Sequence, residues 1–163
     1  VVDLAKEKLS KVTAAYRQDD KARAYEHFQR GYLMDFGGGE LADIYKEMRM
    51  ASDFAPEDPS LHFVLGALAL EGKDNAAGLG HFNAALAIEE SPYRLGQNLL
   101  WASRAAIALG QKSEAEEYRR RLYAMNHASL ADMKRLAQKD ARNLFPRRDF
   151  SDLVLNMSVL DAA

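Results

Sequence analysis

Residues 59–92, PSLHFVLGALALEGKDNAAGLGHFNAALAIEESP, decide how the rest of the chain is read. Pro59 and Pro92 stand where prolines open helices, because the first helical residue has no N–H that the helix needs. Two apolar runs are separated by Gly72-Lys73-Asp74, a glycine stop followed by an aspartate able to accept from the free N–H groups of a new helix. The first run carries Leu65-Gly66. The second carries small residues and Phe82 at helical spacing and closes on Ala85-Leu86-Ala87-Ile88. The stretch predicts one helix–turn–helix unit of 34 residues.

Its neighbours read the same way. Downstream, Ser91 and Pro92 open a helix carrying Leu99, Leu100, Ala102, Ala106 and Leu109, which stops at Gly110. Ser113-Glu114-Ala115-Glu116 has the capping-box pattern and leads into Tyr118, Leu122 and Met125. Ser129-Leu130-Ala131-Asp132 repeats that pattern and opens a further unit to about Leu144. Upstream, Pro56 stops one helix and Asp58-Pro59 starts the next. Ile44, Tyr45, Met48, Ala51 and Ser52 recur at helical steps, and Ala24, Phe28, Gly31, Tyr32 and Asp35 do so before Gly37-Gly38-Gly39. Asp19-Asp20 is expected to cap that helix, which leaves a separate leading helix from about Asp3 to Tyr16 with Leu4, Leu9, Val12 and Ala15 near one stripe. Asp149 is expected to cap a last helix with Phe150, Leu153, Val154, Met157 and Leu160 on one face.

The Leu65-Gly66 pair, Phe82, Ala85 and the Ala55–Pro59 junction resemble a tetratricopeptide repeat, over about residues 25–127. His62, Ala69, Gly78 and Glu90 depart from the usual tryptophan, tyrosine, alanine and proline of that family. The resemblance implies an all-α, right-handed α-solenoid of antiparallel helix pairs, with about three repeats and flanking helices at both ends. The expected division is a leading helix over 1–18, repeats over 20–58, 59–92 and 93–127, and C-terminal capping helices over 128–145 and 149–161.

Composition bounds the chemistry. At 163 residues with 48% hydrophobic content the chain can cover a continuous core. The absence of cysteine excludes disulfides, thiolate metal sites and a cysteine nucleophile in this sequence. No apolar run reaches the roughly 18 residues of a bilayer span, so no membrane insertion is expected. Val1-Val2-Asp3 has neither the basic region nor the apolar core of a signal peptide, and the missing initiator methionine is expected of a trimmed fragment. A soluble chain is expected, and the residues name no compartment. The net charge of −2 hides a basic stretch: residues 112–148 carry ten Lys and Arg against five Asp and Glu. The only aromatic residues among those cations are Tyr118, Tyr123 and Phe145, so a solvated helix face is expected and no nucleic-acid partner.

Catalytic readings find little support. Asp35-Phe36-Gly37 and Ala55-Pro56-Glu57 resemble the ends of a kinase activation loop, but no catalytic-loop aspartate, glycine-rich loop or strand lysine precedes them. Gly37-Gly38-Gly39 lacks both the dinucleotide fingerprint and the P-loop lysine. His27, His62, His81 and His127 have no i+4 partner for a metal. No enzyme activity, metal or cofactor is expected.

In tetratricopeptide proteins the first helices of successive repeats line a concave groove, so the resemblance implies a protein-interaction module that takes a peptide or amphipathic helix. The carboxylate clamp of the chaperone-binding members would fall on Gln29, Leu33, Val64, Gln97 and Trp101, residues that cannot form it. The expected groove is largely apolar: Leu33, Phe63, Val64, Ala67, Leu100 and Trp101, with Gln29, Gln97 and Arg104 to orient the ligand. Trp101 is the expected hot spot. The alternatives are an oligomerisation or structural segment, self-associating through residues 149–163, and an accessory domain of a larger enzyme.

Overall fold

The computed structural model describes residues 2–138. Within them the chain is all-helical, and inside each compact unit successive helices pack against one another. The elements are α1 (Val2–Phe36), α2 (Leu41–Phe54), α3 (Pro59–Glu71), α4 (Asn75–Ile88), α5 (Pro92–Ala108), α6 (Lys112–Ala124), a 3-10 turn (Ala128–Leu130) and α7 (Ala131–Gln138). Described residues up to Pro56 form one compact unit and those from Glu57 another.

In the first unit, α1 runs without a break through Asp19-Asp20, so the separate leading helix over 1–18 is not present. Aspartate inside a helix costs only about 0.5–0.7 kcal/mol relative to alanine, too little to stop a helix with good formers on both sides. Asp19 also pairs with Arg23 one turn on, at 3.3 Å. The glycine cluster does end α1: Gly38 takes φ +74°, and the Gly39 N–H donates to the Met34 carbonyl at 2.7 Å. α2 returns against α1 through Ala24 and Phe28 facing Ile44, Met48 and Ala51, all buried. Gly31 permits the closest approach, since a Cβ there would stand 2.5 Å from Met48 Cε.

In the second unit, Asp58 caps α3 as expected, its side chain accepting from the Ser60 N–H at 2.9 Å. From Val64 to Leu70 every residue of α3 is buried. A Cβ on Gly66 would stand 2.5 Å from the Phe82 ring, and one on Gly78 would stand 2.8 Å from Leu70. These glycines let α3 and α4 cross with little space between them. The α3–α4 turn places the left-handed conformation on Lys73, φ +63°, rather than on Gly72. Asp74 then donates its N–H to the Ala69 carbonyl at 2.8 Å and caps α4 by accepting from Ala77 N–H at 3.1 Å. The α5–α6 turn has the same form, with Gly110 at φ +75° and Gln111 N–H donating to Ala106 at 2.9 Å.

Two expected capping boxes do not form. α6 begins two residues early, with Gln111 at its N-cap, so Ser113 already lies inside the helix. At the other box, His127 accepts from the Ser129 N–H at 3.3 Å through Nδ1, and a 3-10 turn precedes α7. Ser91 holds the N-cap position of α5 without a side-chain cap bond; Glu89 accepts its N–H instead, at 3.1 Å. Leu130 and Met133 join the core cluster of this unit, Leu130 pressing onto Gly96 of α5. The expected helix over 149–161 and the end of the unit over 128–145 lie outside the described residues.

Candidate interaction surface

The nine expected groove residues separate by burial. In the second unit, Val64 and Ala67 are 1% exposed, Leu100 2% and Trp101 9%. Leu100 and Trp101 belong to one apolar cluster with Leu70, Phe82, Leu99 and Leu122. Phe63 packs against that cluster from a half-buried position, its ring tilted on Phe82 with centroids 5.8 Å apart. These side chains fill the interior of the unit. The physical reason lies in α3, which carries apolar residues around its whole circumference and therefore keeps no polar face for solvent.

Trp101 has a cationic neighbour. The Arg104 guanidinium lies 5.1 Å from the indole centroid, and its Nη2 donates to the Leu136 carbonyl at 2.8 Å. The arginine thus ties α5 to α7 while lying over the tryptophan ring. Gln97 is half-buried one turn before Trp101.

On α1 the situation is reversed. Gln29 is exposed and donates from Nε2 to the Tyr25 hydroxyl at 2.7 Å. Leu33 is 65% exposed, and Phe36, three residues further on, is 86% exposed. Gln29, Leu33 and Phe36 follow at steps of four and three and so share one face of the helix. Leu33 and Phe36 are thus two apolar side chains turned to solvent on that face. Sequence reasoning missed Phe36, which drew notice only as part of Asp35-Phe36-Gly37. Its signal was the seven-residue spacing from Gln29.

The polar clusters have structural duties. His27 Nδ1 lies 2.7 Å from Glu47 Oε2 between α1 and α2, and its ring stacks on Phe54 at 5.7 Å with 7° between planes. At the start of α3, Arg94 of α5 donates to the Ser60 hydroxyl. Burial pushes the Asp58 carboxyl above its ordinary range, against the opposing pull of the Ser60 N–H and of Arg94. A shallow depression between α4 and α6 is lined by Asn83, Ser113, Glu114, Glu117, Tyr118 and Arg121, two carboxylates beside one guanidinium. Tyr118 crosses it, donating to Asn83 Oδ1 at 2.6 Å. Among the described residues, no three of His, Asp and Glu are grouped to hold a metal ion, and no helix is long and apolar enough to cross a membrane.

No family description, curated protein or solved structure matches the chain.

Proposed function

We propose that this chain is a non-catalytic protein-interaction module, built as a tetratricopeptide-like series of helix pairs, that holds a peptide or amphipathic helix of another protein. The observation that carries this reading is the exposure of Leu33 and Phe36 on one face of α1, the two most exposed large apolar side chains among the described residues. The three turns at Gly38, Lys73 and Gly110 support the repeat character, because each ends the first helix of a pair in the same left-handed form. In this reading the ligand surface narrows from the nine-residue groove to Gln29, Leu33 and Phe36, with Val64, Ala67, Leu100 and Trp101 serving the core.

A photo-crosslinking residue at position 36 tests it, with the same group at exposed Lys46 as control. The expected result is a discrete crosslinked protein at position 36 that is absent at position 46 and is lost with Leu33→Glu. Equal, diffuse labelling at both positions contradicts the reading.

A further inference from the structure

α7 has eight residues, below the roughly 12–15 at which a helix begins to hold its shape alone in water. Its order comes from the surface beneath it. Leu130 in the preceding 3-10 turn and Met133 and Ala137 of α7 recur at steps of three and four, and all three are buried in the apolar cluster that holds Trp101 of α5 and Leu122 of α6. The opposite face is exposed at Ala131, Asp132 and Arg135, with Arg135 paired to Asp132. α7 is therefore a short amphipathic helix seated by one face. The link that joins it to α6, from Asn126 to Ser129, is exposed throughout.

The seat under α7 has three parts, each matched to a feature of the helix it holds. Gly96 makes a notch in α5, where a Cβ would overlap Leu130 Cδ2 and stand 3.2 Å from the Met133 sulfur. At the C-terminal end of α6, where helix carbonyls attract a cation, the Met125 carbonyl accepts from Lys134 Nζ at 2.7 Å. Arg104 donates at 2.8 Å to the Leu136 carbonyl, one of the last four that α7 itself leaves unpaired. The seat thus accepts apolar side chains at i, i+3 and i+7, a cation at i+4, and the C-terminal carbonyls of a helix. We propose that α7 is a displaceable strap over a helix-binding seat on α5 and α6, and that the seat takes from another protein an amphipathic helix carrying this same pattern. The proposal does not rest on the function assigned to Leu33 and Phe36, which belong to the other unit.

Trp101 is the one tryptophan of the chain and lies beneath Arg104, so its emission reports on the seat. The probe is a synthetic peptide of residues 128–138, titrated into the full parent chain and into full-chain Leu130→Asp, which loosens the strap and leaves the seat intact. A saturable shift of Trp101 emission is expected, with apparent affinity at least about tenfold higher for Leu130→Asp, because in the parent the tethered α7 competes at an effective concentration on the order of millimolar. The same peptide carrying Leu130→Asp is expected to shift neither chain. Amide hydrogen exchange separates a strap from a piece of the core: Leu130→Asp is expected to speed exchange across residues 131–138 by about tenfold or more and to leave α3 unchanged. No emission shift in Leu130→Asp, or equal affinity for both chains, overturns the proposal. Exchange that rises across α3 together with α7 also overturns it, since α7 would then be part of the core it covers.

Discussion

In the α1–α2 pair, Gly31 makes room for Met48; in the α3–α4 pair, Gly66 makes room for Phe82. The two contacts share a device and differ in what surrounds them. Away from its contact, α1 presents Leu33 and Phe36 to water, whereas α3 buries its residues on every side from Val64 to Leu70. An apolar residue on a mainly polar helix has no second partner inside its own unit. The same residue on a helix that is apolar all round is enclosed whichever way it points. Position within a helix pair therefore does not decide whether an apolar residue is exposed; the composition of the whole helix does.

Truncation inside the second unit gives the largest expected effect. Phe82→Ala should cost about 3–5 kcal/mol, because the ring is fully enclosed and its removal leaves a cavity. Urea unfolding monitored by circular dichroism checks this. The two glycine contacts should then separate. Gly66→Ala drives a methyl into the Phe82 ring and should cost about 1–3 kcal/mol, whereas Gly31→Ala meets the mobile end of Met48 and should cost less. Equal costs would show that ring rigidity is not what distinguishes the pairs.

Smaller effects test the turns and the cap. Lys73 adopts the left-handed conformation that glycine holds at positions 38 and 110. Lys73→Gly should stabilise the chain by about 1 kcal/mol, readable as a raised thermal midpoint. Asp58→Asn keeps an oxygen for the Ser60 N–H while removing a charge that burial disfavours. A carboxyl whose folded pKa is raised binds its proton more tightly in the folded state, so its unfavourable contribution appears as pH rises through the unfolded value. Asp58→Asn should thus be at least as stable as the parent at pH 7, with the advantage fading as pH falls below the ordinary aspartate range. A variant weaker at pH 7 than at pH 4, relative to the parent, would show that Arg94 outweighs burial.

The helix pairs were legible because their punctuation is local: Pro56, Asp58-Pro59, Asp74, Pro92, Gly110 and the triglycine each act on a neighbouring backbone group. The continuity of α1 was not, because a single aspartate pair is a weak interruption and its outcome depends on a helix of 35 residues. The capping boxes at Ser113 and Ser129 failed for a related reason: Gln111 and His127 lie just upstream and took the cap positions. The candidate surface was the least legible. Leu100 and Trp101 were placed by repeat position, and they cluster with buried residues of α4, α6 and α7, which no pattern on α5 alone reports.

Comparing Trp101→Ala with the double variant Leu33→Asp/Phe36→Asp by urea unfolding of the full chain tests the assignment of core and surface most directly. Trp101→Ala should lose about 3–5 kcal/mol, as an enclosed aromatic residue does, while the double variant should stay within about 0.5 kcal/mol of the parent, as exposed positions do. A double variant that unfolds while Trp101→Ala remains as stable as the parent would contradict it.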